Sequence, residues 1–285
     1  MTNDSNVKRG NAQKAMTGTA WVEVLVKHPE RAAECDWELL NGQDWSCLLR
    51  GRPQFAGRCA WDKLNVHDWV WLLLKQPQFA EKCDWRGFSS DAWGHLLRSQ
   101  PQLFENCNRD ELDGFGWAIF LSSQPQFADK CAWDRFSGHD WAILLAHQPQ
   151  FAGRCDWSKL SIEDWGCLLC AKPQFLEKCH PGELTGTDWV DLLTFKVRLS
   201  EECGRAFRNS HDMPIECLMT GEPAFVASCD WSKLDGGNWV RLLFWRPELV
   251  EKCDWDKLSE SDRETLRRCW PDDCDDWQEA WQKTR

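Results

Sequence analysis

The chain has 285 residues, and its 34 Lys and Arg against 45 Asp and Glu give a formal net charge of −11 at neutral pH. This acidity disfavours a protein that binds nucleic acid or anionic membranes through general basic charge. Charged residues at 28% and hydrophobic residues at 42% are ordinary for a folded chain, whereas 21 Trp, 16 Cys and no Tyr are not.

The N-terminal segment 1–16 is polar and has no apolar stretch of the kind found in signal peptides. We expect this segment to be disordered and the protein to be cytoplasmic. No run approaches the roughly 18 apolar residues of a membrane-spanning helix, so no membrane association is expected. The first helix is predicted around Trp21, Val24 and Leu25, as part of an incomplete repeat.

From there the sequence repeats with a period of 24 residues. Ten of the 16 cysteines occupy one position of this repeat, and Trp and Pro keep the same spacing. Several positions repeat together, which is typical of an array of small structural units. The clearest members are Cys35, Cys59, Cys83, Cys107, Cys131, Cys155, Cys179 and Cys203; Trp45, Trp69, Trp93, Trp117, Trp141, Trp165 and Trp189; Pro29, Pro53, Pro77, Pro101, Pro125, Pro149 and Pro173.

One copy, 137–160, shows the helix that each repeat predicts. Ser137 and Asp140 form a capping-box pattern, so a helix should begin there. Trp141, Leu144 and Leu145 follow at the spacing of one apolar helical face.

The second half of the same copy predicts a shorter helix. Pro149 should end the first helix and begin the second, whose apolar face includes Phe151 and Cys155. Trp157 and Leu160 then form an apolar clasp before the next cap.

Two helices of this length cannot bury their apolar faces alone, so stability must come from stacking on neighbouring copies. The fold class predicted is therefore an all-α solenoid of about ten copies over residues 17–269, with a polar terminal copy in which Arg263 takes the Trp position. An acidic tail at 270–285 contains Trp277 and Trp281.

One copy breaks the pattern between about 197 and 220. Val197 stands where Pro is expected, Arg205 replaces the clasp Trp, and Ile215 replaces the helix Trp. We interpret this as a local defect in the stack, with a functional notch as the alternative.

The cysteines do not predict a disulfide scaffold or a metal site. Members of the Cys position in adjacent copies should lie about 10 Å apart, whereas a disulfide needs Cα atoms within ~7 Å. We predict small buried thiols, and we regard the Cys167–Cys170 spacing as incidental. No nucleotide-binding, hydrolase or zinc-protease motif occurs, so we expect no enzyme activity, cofactor or metal.

Residues on the side of the first helix opposite the Trp–Leu face vary freely between copies. A face that stacking leaves free to vary can be shaped for a partner, and exposed aromatic residues beside Arg are typical of contact surfaces. The alternative is that another layer of the protein covers this face. The residues predicted to bind a partner are Arg50, His67, Trp71, Leu74, His95, Arg98, Phe115, Ile119, His139, Ile143, Arg241, Phe244 and Trp245.

The unit Pro-Gln-Phe-Ala-x-x-Cys-Asp-Trp-x-x-Leu, at 149–160, resembles the tandem short repeats of bacterial helical repeat proteins. In repeat length and in its two short helices it is also similar to the leucine-rich-repeat variant class, a resemblance that implies a right-handed α-solenoid. The resemblance spans about residues 17–269 and implies no catalytic residues. The Trp and Cys positions depart from the mainly aliphatic core of that class.

The function predicted is a non-catalytic scaffold that binds a protein or peptide through the variable face, with no direct contact to nucleic acid. A second hypothesis is an acidic mimic of nucleic acid, which presents one Asp per copy to a basic protein. A third is a homo-oligomer that pairs through the same face, and the oligomeric state is left open. The Asp residues of the second hypothesis, which could instead cap turns or pair with Lys63, Lys159 and Lys257, are Asp36, Asp84, Asp156, Asp230 and Asp254.

Overall fold

The structure is a computed structural model that describes residues 16–206 and 224–269. These residues form helices and turns and contain no β-strand, so the predicted all-α repeat solenoid is confirmed. The chain divides into two compact units, Met1–Glu111 and Leu112–Arg285. Each unit is a run of helical copies packed against their sequence neighbours.

Each regular copy contains one α-helix of about three turns. The first unit holds α1 (Gly18–Lys27), α2 (Gly42–Gly51), α3 (Val66–Leu73) and α4 (Ser90–Ser99). The second unit holds α5 (Gly114–Ser123), α6 (Gly138–His147), α7 (Ile162–Ala171), α8 (Gly186–Ala206), α9 (Gly236–Trp245) and α10 (Glu260–Cys269).

Two short 3₁₀ segments complete most copies. The first follows the α-helix and usually begins at the repeated Pro, at Pro29–Glu34, Pro53–Arg58, Pro77–Lys82, Pro101–Asn106, Pro125–Lys130, Pro149–Arg154, Pro173–Cys179, Ala224–Ser228 and Pro247–Lys252. The second usually begins at the clasp Trp, at Trp37–Leu39, Trp61–Lys63, Arg109–Glu111, Trp133–Arg135, Trp157–Lys159, Trp231–Lys233 and Trp255–Lys257.

The predicted caps set where the α-helices begin. Ser137 Oγ accepts from the Asp140 N–H at 3.3 Å, and the Asp140 carboxylate accepts from the Ser137 N–H at 2.8 Å. This reciprocal pair satisfies N–H groups that the first turn leaves unbonded. α6 ends at His147, and Gln148, the residue before Pro149, leaves helical geometry at φ −126° and ψ 71°.

The Trp–Leu face is the core of the array, as predicted. Trp141, Leu144 and Leu145 are each at most 2% exposed. The clasp Trp133 stacks on Trp141, with ring centroids 5.4 Å apart and planes 9° apart. The same stacked pair recurs in five other copies, so the clasp of each copy covers the indole of the helix that follows it.

Hydrogen bonds from side chains to backbone carbonyls join each copy to the one before it. Gln148 Nε2 donates to the Ser122 carbonyl at 2.6 Å, and the homologous Gln76 donates to the Arg50 carbonyl at 2.9 Å. These carbonyls lie at helix C-termini, where no partner exists within the helix. Lys159 Nζ likewise donates to the Phe136 carbonyl at 2.8 Å.

Glycine at the first helical position allows adjacent copies to approach closely. A Cβ atom at Gly138 would lie 2.2 Å from the Lys159 carbonyl oxygen of the next copy, a distance at which backbone must move. Similar overlaps of 2.3–2.6 Å with the next copy's backbone occur at Gly42, Gly114 and Gly186.

Two copies carry a β-branched residue instead of this glycine, and in both the following turn is altered. Val66 precedes a clasp turn that contains Gly87 at φ +83°. Ile162 precedes a turn in which His180 adopts φ 51°. The left-handed residues redirect the chain where an ordinary 3₁₀ clasp would collide with the larger side chain.

Helix α8 and the copy that begins after residue 223 are in direct contact, although the irregular copy lies between them in the sequence. Because Val197 cannot end the helix as Pro does, α8 continues to Ala206. Lys233 Nζ donates to the Leu184 carbonyl at 2.7 Å, and these residues are 49 apart in the sequence. The corresponding bond in a regular copy, from Lys159 to Phe136, joins residues that are 23 apart. The copy that follows therefore packs directly on α8, and the local defect expected between about 197 and 220 stays a prediction. Residues 207–223 lie outside the described residues.

The predicted polar terminal copy is also present. In α10 only Leu266 is buried, and Arg263 Nη2 donates to the Trp255 carbonyl at 3.0 Å. The expected disordered segment and the acidic tail lie outside the described residues, apart from Met16, and the single span 17–269 stays a prediction.

Among the described side chains of the repeated Cys position, all thiols are free; Cys35, Cys107, Cys179 and Cys229 are buried, as predicted, and the other members are half-buried. Burial raises the pKa of Cys131, Cys155 and Cys253 to about 12, which keeps these thiols protonated near neutral pH.

Candidate functional site

The predicted binding residues of the first unit lie on an accessible face of α2, α3 and α4. His67 and Trp71 are exposed, with Trp71 at 41%. Arg50, Leu74, His95 and Arg98 are half-buried. The expectation that this face is open therefore holds for the first unit, while the identity of a partner is a separate question.

An open cavity lies on this face between α2 and α3, with a volume of about 250 Å³. We call it the α2–α3 cavity. Residues of both helices line it: Gln43, Ser46, Cys47, Arg50, His67, Asp68 and Trp71.

Trp71 is held in place by its neighbours. Its indole Nε1 donates to His67 Nε2 at 2.8 Å, one helical turn earlier. His67 Nε2 must be unprotonated to accept this bond, so the proton of the neutral ring lies on Nδ1. The indole N–H is therefore already satisfied, and the exposed part of Trp71 that remains for a ligand is apolar ring.

Arg50 lies over the same ring from the neighbouring helix. The guanidinium carbon is 5.1 Å from the Trp71 ring centroid, a cation–π distance. Arg50 Nε is enclosed and has no hydrogen-bond partner among the described residues. The cavity thus presents a fixed cation beside an aromatic surface.

The polar wall of the cavity is formed by residues that also hold the two helices together. Ser46 Oγ donates to the Asp68 carbonyl at 2.9 Å. The Asp68 carboxylate accepts from the Asn65 N–H at 3.1 Å as part of a helix cap. Sequence analysis did not identify Ser46 and Asp68 as cavity residues, because the groove that they line exists only after copies stack; both side chains are buried, at 3% and 4% exposure.

In the second unit the exposure expected for Ile119 and Ile143 is wrong. Both are buried, at 4% and 6% exposure. Helices α5 and α6 are apolar on nearly every side, and such helices bury all their faces. Phe115 is half-buried and stacks against His139, whose ring lies 6.5 Å away with planes 10° apart.

A second open patch of the second unit lies at the end of α9. Phe244 is 53% exposed and packs edge to face against the half-buried Trp245, with centroids 5.2 Å apart. Arg241, predicted as a binding residue, forms an ion pair with Asp191. This patch is therefore an exposed aromatic pair whose nearby cation is already neutralised.

The row of Asp residues serves local structure. Asp156 accepts from the Ser158 N–H at 3.2 Å and from the Ser158 hydroxyl at 2.6 Å, and these bonds lower the pKa of its carboxyl group. Asp36, Asp230 and Asp254 accept the same backbone bond at the start of their 3₁₀ turns. Lys63 and Lys159, considered above as partners of this row, direct their ammonium groups to carbonyls of the preceding copy instead.

Within residues 16–206 and 224–269, no group of three or more His, Cys, Asp or Glu is placed to hold a metal ion. Over the same residues, no helix combines the length and the apolar character needed to cross a bilayer. Comparisons of the chain with protein-family models, with curated proteins and with solved structures give no match.

Proposed function

We propose that this protein is a non-catalytic scaffold that binds a protein or peptide on the variable face of its first helices, with the α2–α3 cavity as the principal contact. The observation that carries the proposal is Trp71, a large aromatic residue that is 41% exposed at the edge of a cavity and held by neighbours on two helices. Trp and Arg supply most of the binding energy at protein interfaces, and Trp71 and Arg50 lie together here.

Rigidity supports the same function. Trp71 is fixed by His67 within its own helix and by Arg50 from the adjacent one. A side chain that is ordered before binding loses less conformational entropy when a partner arrives. The aromatic pair Phe244–Trp245 is a second, smaller candidate contact in the other unit.

The wider setting is also part of the proposal. We assign the array to right-handed α-solenoids like those of the leucine-rich-repeat variant class, working in the cytoplasm. The protonated, half-buried thiols of the repeated Cys position fit a reducing compartment, where such residues act as small core groups.

Site-specific photocrosslinking in cells tests the proposal. A benzophenone amino acid at Gln43, which lines the cavity, should give a discrete crosslinked partner. The matched control is the same group at Gln54, an exposed residue of the following 3₁₀ segment. Adding Trp71→Ala should abolish the Gln43 adduct without changing the thermal midpoint by more than a few degrees.

Two results would contradict the proposal. One is the absence of any Gln43 adduct under conditions in which the protein is present and folded. The other is an adduct that forms equally from Gln54 or survives Trp71→Ala, since the partner would then not occupy the cavity.

A further inference from the structure

The chemistry of the α2–α3 cavity indicates what kind of partner it accepts. Arg50 has no carboxylate within ion-pair distance among the described residues, and its Nε lacks an acceptor. A charged group without a partner is a site that a ligand of opposite charge can satisfy, and although Nε is enclosed, Arg50 as a whole is only half-buried.

Arg241 is in a different state on another helix. Arg241 lies on the corresponding face of α9 and pairs with Asp191, a carboxylate on α8. At the cavity, Arg50 lies over the Trp71 ring, and the one carboxylate of the lining, on Asp68, is occupied by the Asn65 helix cap. Arg50 is thus oriented by Trp71 with its charge uncompensated.

The fork of Arg50 is matched by a planar carboxylate, to which a guanidinium donates two parallel hydrogen bonds. The carboxylate of a chain terminus is usually captured by a nest of free backbone N–H groups. The α2–α3 cavity is lined by side chains along both helices, and the first-turn N–H groups of Asp44 and Asp68 already donate to the capping side chains of Asn41 and Asn65. An acidic side chain is therefore the better match.

Resting on the function proposed above, we propose that the α2–α3 cavity binds the Asp or Glu side chain of a peptide segment, with an adjacent apolar or aromatic side chain packed on Trp71. The carboxylate would pair with Arg50 while the apolar side chain covers the exposed ring of Trp71, whose N–H is already bonded to His67.

The net charge restricts the segment further. A chain of formal charge −11 repels a run of acidic residues, and the repulsion acts over a Debye length of about 10 Å at 0.1 M salt. One carboxylate flanked by apolar residues satisfies Arg50 without adding to that repulsion. A strongly acidic peptide should bind less tightly.

A peptide selection tests this specificity. Random heptapeptides displayed as N-terminal fusions to a phage coat protein carry no free carboxyl terminus at the random segment. They are selected on the full chain and counter-selected on Trp71→Ala. Enriched sequences should share one Asp or Glu at a fixed distance from an aromatic or Leu residue.

Synthetic versions, blocked at both ends, are then measured by fluorescence polarisation. Replacing the peptide Asp or Glu by its amide should weaken binding on the order of tenfold, the effect of losing a charge-assisted hydrogen bond. Arg50→Gln should weaken the acidic peptide equally and leave the amide peptide unchanged, and Arg50→Lys should lie between. The control Arg86→Gln, at an exposed arginine paired with Asp84, should have no effect.

The outcomes separate the two proposals. Peptides that require Trp71 but share no carboxylate, or that are insensitive to Arg50→Gln, overturn this inference and leave the proposed function standing. Preference for a free C-terminal carboxylate, when synthetic peptides with free and amidated ends are compared, also overturns it. If no peptide that binds the full chain survives counter-selection on Trp71→Ala, both proposals are overturned. Arg50→Lys, which keeps the charge and most of the packing, guards against loss of binding through misfolding.

Discussion

Because adjacent copies approach closely at Gly138, we predict that Gly138→Ala destabilises the protein, whereas helix propensity alone predicts that it stabilises. Alanine favours a helix over glycine by up to about 1 kcal/mol, so Gly138→Ala should stabilise an isolated helix. In this structure the added Cβ would lie 2.2 Å from the Lys159 carbonyl oxygen, more than 1 Å short of ordinary contact. The Asp164 carboxylate, 2.7 Å from the same point, blocks movement to one side.

Backbone must therefore move, and the copy that moves is held by the bond from Lys159 to the Phe136 carbonyl. Overpacking of this kind costs about 1–3 kcal/mol, and loss of one hydrogen bond adds about 1 kcal/mol. After the gain in helix propensity, Gly138→Ala should destabilise the second unit by about 2 kcal/mol. At roughly 2–4 °C per kcal/mol for a domain of this size, the thermal midpoint should fall by about 4–8 °C.

Thermal and urea unfolding followed by circular dichroism measure the effect. The control is Gly153→Ala in the same unit, because a Cβ there meets no atom within 4 Å. It should leave the midpoint unchanged or raise it slightly, since alanine restricts the unfolded chain. If Gly138→Ala is as stable as the parent or more so, the inter-copy contact is not tight and the reasoning fails.

A rescue experiment sharpens the test. The copy after Val66 tolerates a branched residue because its clasp turn contains Gly87 at φ +83°. Introducing Ser158→Arg, Lys159→Gly and Leu160→Phe gives the turn after α6 the residues of that copy. In this background Gly138→Val should be milder than in the parent. If Gly138→Val lowers the free energy of unfolding in this background as much as in the parent, or more, the altered turn is unrelated to the residue at the first helical position.

Two further predictions concern tryptophan burial and thiol ionisation. Trp141→Ala should destabilise by about 3–5 kcal/mol through the cavity it leaves, whereas Trp71→Ala should cost less than about 1 kcal/mol, and equal urea midpoints would refute the assignment of the two faces. Burial raises the pKa of Cys131 to about 12 from an unperturbed value of 9.0, so the folded chain keeps a proton that the unfolded chain releases between these values. The free energy of unfolding, measured by urea titration, should therefore fall as pH rises from 9 towards 12, and it should fall less in Cys131→Ala. An unchanged pH dependence in Cys131→Ala would contradict this prediction.

The repeat made the fold predictable to a large degree. The Ser137–Asp140 box, the Trp141 stripe and the break at Pro149 each follow from local rules, and all are present. The Gly138 position was not recognised, although glycine recurs there, because its cause is a backbone contact with the next copy. The sequence does contain an indication of this contact. Val66 and Ile162 replace the glycine in two copies, and in both the following clasp has Gly87 or Glu183 in place of the usual Lys.

The candidate site was predictable only in part. Exposure of Trp71 followed from its place opposite the core stripe, but the same position in α5 and α6 is buried. The difference lies in the neighbouring copies, since α2 and α4 place Gln43, Arg50 and His95 on this face on either side of α3, whereas α5 and α6 carry Ile119 and Ile143 there. A position in a repeat fixes the direction of a side chain, and the side chains that neighbouring helices place beside it then decide whether it is buried.

This dependence on the neighbouring helices explains how one repeat can produce both an open face and a sealed one. Backbone contacts and the Trp–Leu stripe hold the copies together, and neither uses the variable face. That face can therefore change without loss of the stack, as the exposed Trp71 and the buried Ile143 show at the same repeat position. A sealed face gains free energy by burying apolar side chains within the chain. An open face that carries an uncompensated Arg50 can gain free energy by binding a partner.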